Sequence, residues 1–81
     1  MPRFYFHVTG HAPDDEGLEL ESLAVAKCEA VETTGRIICD TASTFWDTKE
    51  LQMTVMNASG LILFVLNFIG TEAPIAQAAH S

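Results

Sequence analysis

The sequence predicts an α+β fold in two layers, with one amphipathic helix packed on a three- to four-stranded antiparallel sheet in the order β(β)αββ. Three observations carry this prediction. Runs with period-two alternation lie toward both ends of the chain, one long stretch between them has helical periodicity, and turn-forming residues stand at the joints.

Arg3 to Thr9 is rich in aromatic and β-branched residues, with Phe4, Phe6 and Val8 on one face and Arg3, Tyr5, His7 and Thr9 on the other. This is the first strand, and its core face is plain. Gly10 to Gly17 (G-H-A-P-D-D-E-G) is dense in turn formers, and Leu18 and Leu20 then alternate with Glu19 and Glu21. The pattern suits a short return arm folded back on the first strand.

Ser22 stands where an N-cap belongs, and the residues from Leu23 to Asp40 keep a helical period. A helical wheel places Leu23, Ala24, Ala30, Val31, Thr34, Ile38 and Ala42 on one side, and Glu29, Glu32, Thr33, Arg36 and Asp40 on the other. Gly35 costs about 1 kcal/mol in a helix relative to Ala. Beside the apolar stripe its missing side chain would let helix and sheet approach, so it is expected to be a packing residue. Cys28 and Cys39 lie on this helix roughly 16 Å apart at 1.5 Å per residue, too far to form a disulfide with each other. They are expected to fill the helix flanks.

Thr41 to Glu50 mixes loop formers with Phe45 and Trp46, which are expected to lie against the end of the core. Leu51, Met53 and Val55 then alternate with Gln52, Thr54 and Met56. The turn Asn57-Ala58-Ser59-Gly60 follows, and after it the run Leu61 to Ile69, which is apolar at both alternating positions. The two runs with the turn between them predict a β-hairpin. A right-handed crossover from the first strand through the helix would leave room for the last strand between its two neighbours, so the expected sheet order is first, last, middle. One domain is expected over residues 1–70, with a flexible or short helical tail over 71–81.

The Leu61–Ile69 run matters most, because one helix covers one face of a sheet. Ile62, Phe64, Leu66 and Phe68 are expected to face the helix, and Leu61, Leu63 and Val65 to face away. A core of this size gives only about 3–5 kcal/mol, so oligomerisation is a natural source of further stability. The expected interface is Tyr5, Met56, Leu61, Leu63 and Val65, and the expected partner is a second copy of the chain, making a dimer.

Eleven acidic residues against four basic ones give a net charge of −7. Phosphate-backbone binding rests on Lys and Arg, and here Arg3, Lys27, Arg36 and Lys49 are scattered, so no nucleic-acid partner is expected. The opening Met1-Pro2-Arg3-Phe4 is unlike a signal peptide, and the apolar run is about half as long as a spanning helix. No membrane partner is expected, and the expected location is the cytoplasm.

The segments M-P-R-F-Y-F-H, D-D-E-G-L-E-L, a helix opening on Ser22-Leu23, and S-G-L-I-L-F-V-L-N-F resemble domain-of-unknown-function family 6894, a family of small bacterial proteins. Members of that family look like M-P-R-[YF]-[YF]-F, D-x-E-G-x-E-L, an Ala-rich helix and a closing G-R-x-L-x-x-L-x-F strand. The resemblance covers roughly residues 1–35 and 57–68 and implies no catalytic residues and no cofactor. This chain departs from the pattern at Leu61, where the family usually has a charge, and at Val65 and Asn67 on the same face. These departures favour a buried face here.

Chemistry-bearing residues are few. His7, His11, Asp14, Asp15 and Glu16 have metal-ligand residue types, but their spacing matches no defined site. Glu19 and Glu21 precede the helix, where their charge complements its N-terminal dipole. Both cysteines sit mid-helix, where no lysine or histidine is a helical neighbour that would clearly lower their pKa, and the three histidines, with the third at position 80, make no triad. The expectation is a non-catalytic, self-associating interaction or regulatory module. The alternatives are a small metal-binding protein or enzyme using His7, His11 and Asp14 or Asp15, and an antitoxin-like acidic regulator of a basic protein partner.

Overall fold

The computed structural model of the chain describes residues 1–79, the last three by their backbone alone. In chain order the elements are β1 (Arg3–Val8), β2 (Leu18–Glu19), α1 (Leu23–Asp40), α2 (Ala42–Thr48), β3 (Glu50–Asn57), β4 (Ile62–Ile69) and α3 (Pro74–Ala79). The four strands form one antiparallel sheet beside the helices, so the fold is α+β.

The sheet order is β2-β1-β3-β4, not the expected one with the last strand in the middle. The cause is the return arm. β2 brings the chain back to the starting end of β1, so α1 sets out from there and β3 begins at the far end, running antiparallel to β1 and directly beside it. No parallel crossover remains to be filled, and β4 folds onto the free side of β3 as the sheet edge.

The β3–β4 turn is held by one side chain. Asn57 Oδ1 accepts from the N–H of Ser59 at 2.9 Å and of Leu61 at 3.0 Å, and Gly60 supplies a φ of +83°. A register shift between Val55 and Met56 follows, so Val55 pairs with Phe64 while Met56 pairs with Ile62. This bulge turns Ile62 to the outer side of the sheet beside Met56, where it is 63% exposed, rather than toward the helix.

Ser22 caps α1 by accepting from the Val25 N–H at 3.2 Å. The buried positions of α1 are Ala26, Ala30 and Thr34, one turn apart, and they meet the fully buried Met53 and Val55 of β3 with Phe4 of β1. Of the expected stripe, Ala30 and Thr34 are buried and Ile38 half-buried, while Leu23, Ala24, Val31 and Ala42 are exposed. The sheet selects the small side chains because they let the helix come close. Ala26 and Ala30 therefore do what was expected of Gly35, which is exposed and whose added Cβ would touch nothing within 4 Å. The Thr34 hydroxyl donates to Met53 Sδ at 3.4 Å, giving the buried polar group a partner.

Thr41 to Thr48 is helical rather than a loop. The chain bends at Thr41, whose Oγ donates to the Ile37 C=O at 2.7 Å, and α2 continues to the left-handed Lys49 at φ +61°. Phe45 and Trp46 meet edge to face with centroids 5.6 Å apart. Gly70 lies under them, where a Cβ would come within 2.8 Å of the indole. Both cysteines are free and exposed instead of packed in the helix flanks.

Candidate functional site

α1 packs on one face of the sheet, and the two edges of that sheet are finished differently. On the β1 side, β2 pairs for only two residues, and the loop after β1 then takes over. Asp14 Oδ2 accepts from the Phe6 N–H at 3.0 Å, where a longer neighbouring strand would have bonded. Its Oδ1 accepts from the N–H of Gly17 at 3.0 Å and of Glu16 at 3.3 Å. The His11 N–H donates to the Val8 C=O at 3.0 Å, and Arg3 bridges to Glu19 at 2.7 Å. Gly17, at φ +70°, sits so close that a Cβ would lie 2.9 Å from the Phe4 carbonyl oxygen. Burial raises the pKa of Asp14, but the bonds from Gly17, Phe6 and Glu16 and the proximity of His7 outweigh it, so the carboxyl titrates below the usual aspartate range.

The β4 side has no such closure. From Leu61 to Ile69 there is no charge and no proline, and Asn67 is the one polar residue. The ladder of β3 occupies one side of β4, and among the described residues nothing bonds to its other side. Leu61, Ile62, Leu63, Val65 and Ile69 are all exposed. Natural sheets blunt their edges with charge, proline, a bulge or a cover. β4 carries one bulge, at its start, and eight residues of otherwise plain strand.

The model of a family described as Domain of unknown function (DUF6894) matches residues 3–70. The chain belongs to this family. No curated protein and no solved structure matches it. The DUF6894 match runs from the first residue of β1 to the residue after β4, so it contains both sheet edges and stops short of α3. Within it, the Asp14-Asp15-Glu16-Gly17 segment has a structural job: Asp14 and Gly17 are the two residues that hold the loop against β1.

The expected interface residues of this DUF6894 chain are only partly brought together. Tyr5 and Met56 are cross-strand partners on the outer face and half-buried, and Met56 also neighbours Ile62. Leu61 lies at the turn, while Leu63 and Val65 lie on β4 itself. Tyr5, His7, Met56, Asn57, Ala58 and Gly60 line a shallow depression of about 190 Å³.

The candidate metal ligands do not converge. His7 accepts the Asp14 N–H on Nδ1 at 3.4 Å, while the Asp14 carboxylate is committed to three backbone N–H groups. Asp15 is exposed, and His11 is on the wall of a different cavity. Among the described residues no three His, Cys, Asp or Glu side chains are placed to hold a metal ion, and His80 lies outside those residues. Glu19 is paired with Arg3.

The cavity containing His11 is a groove of about 630 Å³ between the α1–α2 junction and the ends of β1 and β3. Ile38, Phe45 and Leu51 line it together with Thr9, Thr41, Thr44, Thr48 and Glu50. The hydroxyls of Thr9, Thr41 and Thr48 all donate to backbone carbonyls. Sequence reasoning missed this groove because it depends on α2. The signal was present in the spacing of Thr41, Phe45 and Thr48, one helical turn apart on one face. Among the described residues no helix is long and apolar enough to cross a membrane.

Proposed function

We propose that this domain is a non-catalytic interaction module that self-associates as a homodimer through the β4 side of its sheet. The observation that carries the reading is the concentration of exposed apolar side chains on one uncharged strand, Leu61 to Ile69, in a chain of net charge −7. Other exposed apolar side chains, such as Leu23, Val31 and Trp46, stand on elements that also carry charge, whereas this strip gathers five on one uncharged segment. Each exposed leucine or isoleucine transferred from water contributes about 1.5–3 kcal/mol when fully covered, a large fraction of the stability of a domain with five buried apolar residues among those described. The half-buried Tyr5 and Met56 extend the surface inward from the strand.

Sedimentation equilibrium over micromolar concentrations tests this reading. A reversible dimer is expected, and Leu63→Asp should weaken it while lowering thermal stability in a concentration-dependent way. A compact monomer, together with unchanged stability and solubility in Leu63→Asp, would remove the basis for the proposal.

A further inference from the structure

We infer that two copies of the chain join β4 to β4 across a two-fold axis at Asn67, extending the four strands of each into one continuous antiparallel sheet. This pairing rests on the self-association proposed above and specifies its edge, its register and its atoms.

The direction of the backbone groups follows from three hydrogen bonds. The Thr9 N–H donates to the Gln52 C=O at 3.0 Å, so Gln52, Thr54 and Met56 turn their backbone groups toward β1. The Asn57 N–H donates to the Leu61 C=O at 3.0 Å and the Gly70 N–H to the Lys49 C=O at 2.9 Å, so the odd-numbered residues of β3 turn toward β4. Their partners Phe64, Leu66 and Phe68 therefore spend their backbone groups on β3. Val65, Asn67 and Ile69 aim N–H and C=O at the open side, and Leu63, the unpaired residue of the bulge, is left out of the register.

A two-fold axis perpendicular to the sheet keeps both outer faces on the same side, and paired residues must share a face. The axis must then pass through a residue pair and not between residues. Placed at Asn67, it pairs residues 65–69 with their symmetry mates and uses the outward groups of Val65, Asn67 and Ile69 together. Placed at Val65 or Leu66, it brings the bulge residue Leu63 opposite Asn67 or Ile69 and leaves fewer of the outward groups paired. With the axis at Asn67, the outward groups of Asn67 meet those of Asn67 of the second copy, Val65 meets Ile69, and the reverse pair completes about six backbone hydrogen bonds. Leu66 falls opposite Phe68 of the second copy on the helix side, and Val65 opposite Ile69 on the outer side. Such aromatic and aliphatic cross-strand pairs are favourable.

Two features point to a second copy as the occupant. Two acidic chains can approach only where neither carries acid, and β4 is the uncharged strand of this molecule. The opposite edge is stapled by Asp14 and the Arg3–Glu19 bridge, so β4 cannot pair with β1 of a neighbour without breaking both.

The test uses the full chain in sedimentation velocity and amide hydrogen exchange. Asn67→Pro removes an outward N–H that bonds to nothing within one copy, and an edge strand tolerates it. The dimer dissociation constant should rise roughly a hundredfold, as expected for two lost bonds. Thr54→Lys, on the outer face of β3, should leave the constant within a few-fold of its original value. In the wild-type dimer the amides of Val65, Asn67 and Ile69 should be protected, and they should lose that protection on dilution to monomer, a readout that stands even where Asn67→Pro fails to fold. Free exchange of those amides in the dimer, or dissociation by Thr54→Lys with Asn67→Pro unaffected, would overturn edge pairing while leaving self-association intact. A wild-type chain monomeric up to millimolar concentration would overturn both.

Discussion

Asp14→Ala should be among the most damaging substitutions outside the core, although the residue is acidic and sits in a loop. Its carboxylate accepts three backbone N–H bonds, two of them at 3.0 Å, and one of those N–H groups, on Phe6, lies in a strand and is partly buried. A hydrogen bond to a charged acceptor is worth about 1.5–3 kcal/mol, while loop N–H groups freed at the surface recover water. The net loss is therefore about 2–3 kcal/mol. For a domain of this size each kcal/mol moves Tm by roughly 4–8 °C, so a fall of about 10–20 °C is expected in thermal unfolding. The effect has a pH signature. The folded-state pKa of Asp14 is depressed, so its contribution is complete above the unfolded value of about 3.9 and is lost as pH falls through the lower folded value. The stability gap between wild type and Asp14→Ala should be flat from neutral pH to about 5 and close in stronger acid. A gap under about 0.5 kcal/mol at pH 7, or one that persists unchanged in acid, would refute the loop-staple reading.

Gly35→Ala should stabilise by about 0.5–1 kcal/mol in urea unfolding, since the site is an exposed helix interior with open space around the new methyl group. Gly17→Ala should cost more than about 1–2 kcal/mol in the same assay, because φ is +70° and the new Cβ would press on the Phe4 carbonyl oxygen, which cannot swing away. Met53→Ala removes the largest fully buried side chain and should cost about 2–5 kcal/mol by denaturant titration.

Much of the architecture could be read from local pattern. The alternation in β1, the Ser22 cap, the helix to Asp40 and the Asn57–Gly60 turn are all decided by residues within a few positions of one another. The sheet order was not legible in this way, because it turned on whether a two-residue arm, Leu18–Glu19, reverses the chain before the helix starts. Helix rotation was missed for a related reason: hydrophobicity favours Leu23 and Val31 as core positions, but close approach to Met53 and Val55 rewards Ala26 and Ala30. Asp14 offered carboxylate chemistry to a reader of sequence, and only the fold reveals that three N–H groups already claim it. On β4 the alternation from Phe64 onward was legible, and the bulge that turns Ile62 outward was not, since it arises from a register shift with β3.

The Asp14 loop also bears on how assembly ends. A sheet with two open edges can add copies at both sides and grow without limit, whereas a sheet with one closed edge runs out of places to add after a single partner. By occupying the Phe6 N–H, one carboxylate closes the β1 edge, so that the dimer proposed through β4 would have no second edge from which to grow into a fibre. Loss of that carboxylate would do more than loosen a loop, because it would give each molecule a second growing end.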